Sequence, residues 1–200
     1  MKTAVRTLSL FALIAAFAVQ AAESAPDALV KSTVNDVMSV LKQNKDKRTL
    51  LNLAEQKVLP HFDFAEMTRL AVGRPWRDAN DAQKKALENA FRTLLVNTYT
   101  TALTQAAKSD QTVEVKPLRL QPDQKDVIVK TLVKEPGRSP IPIDYSMRRT
   151  SAGWKVYDVV VENLSLVTNY RGSFSSEVAR GGIDGLIKSL EEKNRKLAQG

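Results

Sequence analysis

The chain has no cysteine and a single histidine, His61, among its 200 residues. The first absence excludes thiolate metal sites, a cysteine nucleophile and a disulfide framework. The second excludes a multi-histidine metal centre. Glycine is scarce, with 8 residues, and neither G-x-G-x-x-G nor G-x-x-x-x-G-K-[ST] occurs, so phosphate-loop and dinucleotide fingerprints are missing. No apolar run reaches the roughly 20 residues that a membrane-spanning helix needs. Little of the chemistry of a conventional enzyme is left, and these absences favour binding over catalysis.

What is present begins with a three-zone leader. Lys2 and Arg6 charge the start, and Leu8–Val19 is an apolar run of 12 residues broken only by Ser9. Val19-Gln20-Ala21 then offers small or tolerated residues to a signal peptidase. The reading is a signal peptide over residues 1–21, cleaved after Ala21 (Ala22 is the near alternative), followed by a single domain over 22–200. A buried N-terminal helix competes with it, but a core helix would alternate with polar positions. The mature protein is therefore read as soluble and exported.

The formal charge is +8 and loses two positive charges with the leader. Outside the cytoplasm such charge points to anionic membrane surfaces or acidic proteins rather than to nucleic acid. The cations are interspersed with acids, as in Lys45, Lys47 and Arg48 around Asp46, which is also the pattern of a solvated face.

Helices come first. From Pro26 to Gln43, Val30, Val34, Val37, Met38 and Leu41 form one amphipathic stripe. A charged linker precedes a second helix over Thr49–Val58, stopped by Pro60. Asp63-Phe64-Ala65-Glu66 has the form of a capping box for a third helix that ends near Gly73. Asn80 to Gln83 caps the longest segment, running to about Lys108, with Leu87, Phe91, Leu94, Leu95, Tyr99, Ala102, Leu103 and Ala106 on one face. A face that long predicts a large cover, such as a sheet.

Strands follow over 112–116, 126–134, 141–148 and 154–164. In the third, Ile141, Ile143, Tyr145 and Met147 alternate with Pro142, Asp144, Ser146 and Arg148. Pro142 lacks an amide donor, which assigns the start of this strand to an edge. Short links make an antiparallel meander. Helix returns from Ser165, interrupted at Gly181-Gly182 and continuing from Ile183 to about Lys196. The fold class is α+β: a four-stranded antiparallel meander covered on one face by N- and C-terminal helices.

Two stretches carry a resemblance. One is Val58-Leu-Pro-His-Phe-Asp-Phe64, Met67-Thr-Arg69 and Gly73-Arg-Pro-Trp-Arg-Asp-Ala-Asn-Asp-Ala-Gln83, leading into Phe91-Arg-Thr-Leu-Leu95 with Tyr99. The other is Trp154-Lys-Val-Tyr-Asp-Val-Val-Val161, Ser165-Leu166, Asn169-Tyr-Arg-Gly-Ser-Phe174 and Gly182-Ile-Asp-Gly-Leu-Ile187. Together they resemble the MlaC, or toluene-tolerance auxiliary, family: the periplasmic phospholipid-binding component of the Mla lipid-transport pathway. Leu87 stands where a phenylalanine is usual, and Asn163-Leu164 where a glycine and an aliphatic residue are usual. Asparagine tolerates the left-handed region, so a turn there survives.

The resemblance implies a soluble periplasmic carrier that is not an enzyme, needs no cofactor and acts as a monomer. Its ligand is a diacyl phospholipid, tails in an apolar cavity between sheet and helices and head group near the mouth. Its partners are an inner-membrane ABC transporter with an MCE domain and an outer-membrane lipoprotein complex, between which it moves lipid to maintain outer-membrane asymmetry. Contact with anionic membrane surfaces fits the charge.

The candidate lining residues are Leu95, Tyr99 and Leu103 on the long helix, Ile143, Tyr145 and Met147 on the third strand, and Val156 and Val160 on the fourth. Leu166, Tyr170 and Ile187 in the C-terminal helices complete the set. Each is also an ordinary core position taken singly. Trp76 and Arg77 stand either at the cavity mouth or as an anchor for the long helix. Asp158 lies between Val156 and Val160 on an apolar face and needs a partner, with Arg171 or Arg149 in reach, for a structural role or to orient a head group.

Two catalytic readings remain. His61 and Asp63 with Ser165 or Ser173 would make a hydrolase, although no G-x-S-x-G elbow surrounds either serine. Asp158 or Asp144 with Tyr145 would make an apolar-pocket isomerase. A third alternative is a basic adaptor with a filled core.

Overall fold

The structure, a computed structural model, describes residues 24–43, 46–106 and 110–199, with the side chains of 47 and 101–106 excluded. The proposed leader and the side chain of Leu103 lie outside the described residues. Among the described residues no helix is long and apolar enough to cross a membrane.

Helix α1 (Pro26–Gln43) opens with proline at its first position, where a missing amide costs nothing. Its stripe serves two partners. Val30 and Val34 pack on the sheet, whereas Val37, Met38 and Leu41 pack on Leu50 of α2 (Lys47–Leu53). Helix α2 starts two residues before the predicted Thr49, because Asp46 accepts from the Thr49 amide at 2.9 Å. It widens into a π turn over Ala54–Val58 and leaves through a 3-10 turn over Leu59–His61. The widening relieves the contact that the Pro60 ring would make with a regular preceding turn.

In α3 (Phe64–Val72) Asp63 caps the Glu66 amide at 2.9 Å, half of the predicted box. The Glu66 carboxylate turns instead to Arg69 at 2.6 Å and to Arg148 of the sheet at 3.0 Å. Gly73 ends the helix at φ 73°. A 3-10 turn (Arg74–Arg77) leads to α4 (Asp81–Ala106), whose capping box is reciprocal. Asn80 Oδ1 accepts from the Gln83 amide at 2.9 Å, and Gln83 Oε1 accepts from the Asn80 amide at 3.0 Å.

The cover of α4 corrects the expectation of a sheet. Leu87, Phe91, Leu94 and Leu95 bury against Phe64, Met67, Ala71 and Val72 of α3 and against Val167, Phe174, Leu186 and Leu190 of α5 (Leu166–Gln199). Phe91 meets Tyr170 and Phe174 edge-on, with centroids 5.0 and 5.1 Å apart. These aromatics fill the space that a sheet would need.

The sheet runs β1 (Thr112–Val115), β2 (Asp126–Lys134), β3 (Ile141–Thr150), β4 (Gly153–Val161) and β5 (Leu164–Ser165), in that order and antiparallel throughout. The predicted fourth strand ends three residues early. Glu162 and Asn163, at φ 49° and 67°, make a two-residue turn that folds Leu164 and Ser165 back as the fifth strand. Asn163 thus takes the left-handed backbone anticipated for it. Pro142 is not on an edge strand, since β3 pairs with both β2 and β4. It sits at the strand's beginning and uses only its carbonyl there, accepting from the Glu162 amide at 3.1 Å. Glu114 bridges Lys116 and Lys134 at the β1 side of the sheet.

Between β3 and β4 the register breaks: Met147 pairs with Val156, but Ser146 pairs with Asp158, leaving Tyr157 as the extra residue of a bulge. A one-residue slip moves every following side chain to the other face. Helix α5 then begins at Leu166, capped by Ser165, whose Oγ accepts from the Thr168 amide at 3.0 Å. As predicted it breaks in the glycine pair, at Gly182 (φ 65°, ψ −165°). One apolar cluster is made of α3, α4 and α5, another of the sheet and α1, and Phe62 packs against both.

Candidate ligand site

The site follows from the register. Val127, Val129 and Thr131 of β2, Ile143, Tyr145 and Met147 of β3, and Val156, Val159 and Val161 of β4 share one face. One end of that face is closed. Val127, Met147 and Val156 are no more than 5% exposed beneath Val30 of α1 and Phe62. The other end is open: Ile143, Val159 and Val161 are half-buried, Ile141 is 39% exposed, and Leu164, which pairs with Val161, is 73% exposed. The face therefore grades from dry to wet along its strands.

Its few polar groups are spoken for. Thr131 Oγ1 donates to the Ile143 carbonyl at 2.7 Å, and the Tyr145 phenol, pushed up by burial, is hydrogen-bonded to Thr131. Arg149 stands beyond them at the Trp154 end. The open end lies beside the first turns of α5, which pack along β4 and β5. The cavity between α4 and the two arms of α5, lined by Leu94, Tyr170, Phe174 and Leu186, holds about 80 Å³. That is well below the several hundred of a ligand pocket. A shallower, more open groove of about 310 Å³ runs past Phe62, Phe64, Glu88 and Lys155.

The sequence candidates divide accordingly. Ile143 lines the open end. Tyr145 lies midway, and Met147 and Val156 form the closed end. Leu95 is buried in the helical cluster, with Tyr170 and Ile187 packed against it. Leu166 is half-buried and Tyr99 is 37% exposed. Val160 is corrected: the bulge turns it to the opposite face, where it pairs with Asp144 and Ser165. Val159 and Val161 take the places assigned to Asp158 and Val160.

Asp158 is corrected for the same reason. It does not interrupt the apolar face, and its carboxylate accepts from Ser165 Oγ at 2.5 Å and the Val167 amide at 3.1 Å. Arg171 donates instead to the Leu70 carbonyl, at 2.8 and 2.9 Å. Arg149 lies on the other face of β3. Trp76 packs against the helical cluster, an anchor for α4, while Arg77 is exposed.

Neither catalytic arrangement assembles. Asp63 caps α3, Ser165 caps α5, and Ser173 Oγ donates to the Tyr170 carbonyl at 3.0 Å. His61 is held below its ordinary range by burial and by the nearby Lys155 ammonium. Asp144 and Asp158 both face away from Tyr145, so no carboxylate of that pair enters the apolar face.

A family profile described as "MlaC protein" matches residues 31–192. The chain belongs to the MlaC family. It is 21% identical over 179 residues to the intermembrane phospholipid transport system binding protein MlaC of Haemophilus influenzae, covering 86% of this chain and 83% of that one. Its fold is similar to a phospholipid-binding protein from Ralstonia solanacearum, solved in complex with a phospholipid. That likeness has a TM-score of 0.79 and 34% identity, over 88% of this chain and 99% of the other. In this MlaC-family chain the apolar side chains at one end of the sheet face, Ile141 and Leu164 among them, are left exposed.

Proposed function

We propose that this chain is a periplasmic phospholipid carrier, with the acyl chains laid along the apolar face of the sheet and the head group at its open end. One observation carries the reading: the face passes from fully buried to largely exposed apolar side chains while its carboxylates point the other way. The Ralstonia solanacearum neighbour, solved with a phospholipid, supports the ligand class. Each buried methylene is worth about 0.8 kcal/mol, so two chains bring on the order of 20 kcal/mol or more, which no few hydrogen bonds would match. A carrier accordingly needs greasy area and no catalytic cluster.

On this reading residues 1–21 are a cleaved leader, and the mature chain carries lipid between an inner-membrane MCE-domain ABC transporter and an outer-membrane lipoprotein complex. It needs no cofactor and performs no reaction. Native mass spectrometry and solvent extraction of the purified protein test it. The expected result is phospholipid at near-stoichiometric level. A protein that folds fully yet yields no lipid, and takes none from vesicles, overturns the proposal and leaves the basic adaptor.

A further inference from the structure

The graded sheet face has a floor as well as an opening. Met147 and Val156, the last pair in register before the bulge, are 0% and 3% exposed. Several elements brace them. Val30 of α1 and Trp154 pack in the same cluster, and Phe62 packs against it. The Phe62 backbone bridges to Val156, and the next amide, that of Asp63, donates to the Val156 carbonyl at 2.8 Å. Phe62 is in turn stacked on Phe64, with ring centroids 5.7 Å apart. Side chains packed to this degree do not yield to a longer guest without losing contacts.

From that floor β3 runs back through the half-buried Tyr145 and Ile143 to Ile141, the exposed rim. Across the pair, Val161 lies beside Ile143 and is half-buried too. Six residues at about 3.4 Å each separate Met147 from Ile141 by about 20 Å. A carbon–carbon bond of about 1.5 Å advances an extended chain by about 1.3 Å, so this length takes about 16 carbons. It also covers the roughly 15 Å that one leaflet of a bilayer's hydrocarbon core spans.

The origin of the lipid decides which chains such a length rejects. A methylene buried both in the bilayer and on the face contributes little to the exchange. One for which the face has no room is left in water at the rim, and each such methylene lowers loading about fourfold. Selection is therefore one-sided, sharp against long chains and weak against short ones. We propose that Met147 and Val156 set an upper limit on acyl-chain length, the terminal methyl of a chain of about 16 carbons resting on them. The proposal rests on the carrier reading and deepens it, naming the residues that determine which lipids are carried.

The delipidated protein is offered fluid vesicles holding equal amounts of saturated diacyl phosphatidylcholines, graded in two-carbon steps from about 14 to about 20 carbons, either side of the about 16 that fit. Mass spectrometry compares the loaded lipids with those in the vesicles. Wild type is expected to take chains of up to about 16 carbons in the vesicle's own proportions, and to fall at least about fourfold with each further step. Met147→Ala, which deepens the floor, should move the break one step longer, and Val156→Phe, which raises it, one step shorter. Val160→Ala, on the opposite face, should leave it in place. Where either floor variant does not fold, Met147→Val or Val156→Leu replaces it. A wild-type profile flat to the longest chain overturns the proposal, as does a break that stays put in the folded floor variants or moves equally in Val160→Ala. A folded wild type that takes up no lipid of any length overturns the carrier reading, and the length limit with it.

Discussion

Asp158 of β4 caps the helix that begins beyond the next turn: its Oδ1 accepts from the Val167 amide at 3.1 Å, and its Oδ2 accepts from Ser165 Oγ at 2.5 Å. The carboxylate thus sits at the positive end of α5 and fixes that helix to the sheet. Asp158→Ala should cost about 1–2 kcal/mol of unfolding free energy in urea titration, the usual price of a lost cap. Lipid per folded protein should stay at the wild-type level. A selective loss of lipid with stability intact would return Asp158 to the head group.

The bulge at Tyr157 makes adjacent valines inequivalent. Val161→Asp places a charge on the apolar face beside Ile143 and should reduce extracted lipid more than tenfold. Val160→Asp faces Asp144 and Ser165 on the other side and should leave lipid content within twofold of wild type. Equal effects would show that β4 does not change phase at Tyr157.

Gly182 holds a backbone, at φ 65° and ψ −165°, that is essentially closed to other residues. A Cβ added there meets nothing within 4 Å, so any cost is conformational. Gly182→Ala should lower stability by about 1–3 kcal/mol. Gly181→Ala, equally open but without the positive φ, should be near neutral. Circular-dichroism melts of the two variants decide the matter.

The Arg69 and Arg148 guanidiniums hold the Glu66 carboxyl below the usual carboxylate range, the contact with Arg69 being the stronger. A carboxylate depressed by folding stabilises above its unfolded pKa of about 4.3, and that support disappears as pH falls through the lower folded value. Wild type should therefore lose stability more steeply than Glu66→Gln below about pH 4.3. At neutral pH the variant should be weaker by only about 0.5–1 kcal/mol, since both arginines are half-exposed. Parallel curves for the two proteins in the acid limb would contradict the pairing.

Helices were legible because their signals are local. The stripe from Val30 to Leu41, the Asn80–Gln83 box and the glycine pair at 181–182 each act within a few residues, and each is where the pattern puts it. The meander was legible from its short links. What escaped depends on neighbours distant in sequence. Alternation reads Val156, Asp158 and Val160 as one face, and only the pairing of Ser146 with Asp158 reveals the slip. Nor does the stripe on α4 say whether a sheet or other helices will cover it, because apolar residues are indifferent to the class of their partner. Glu162 conceals the turn before β5, being a residue that rarely takes positive φ. Of the site, Ile143 and Tyr145 were readable by alternation, whereas Val159 and Val161 became visible with the register.

The four-residue β1 has β2 on one side only, and the Glu114 bridge to Lys116 and Lys134 stands beside it. A short border strand flanked by fixed charges is a poor template for another chain to add to. This border of the sheet consequently gives copies of the chain little on which to stack through their backbones into fibrils.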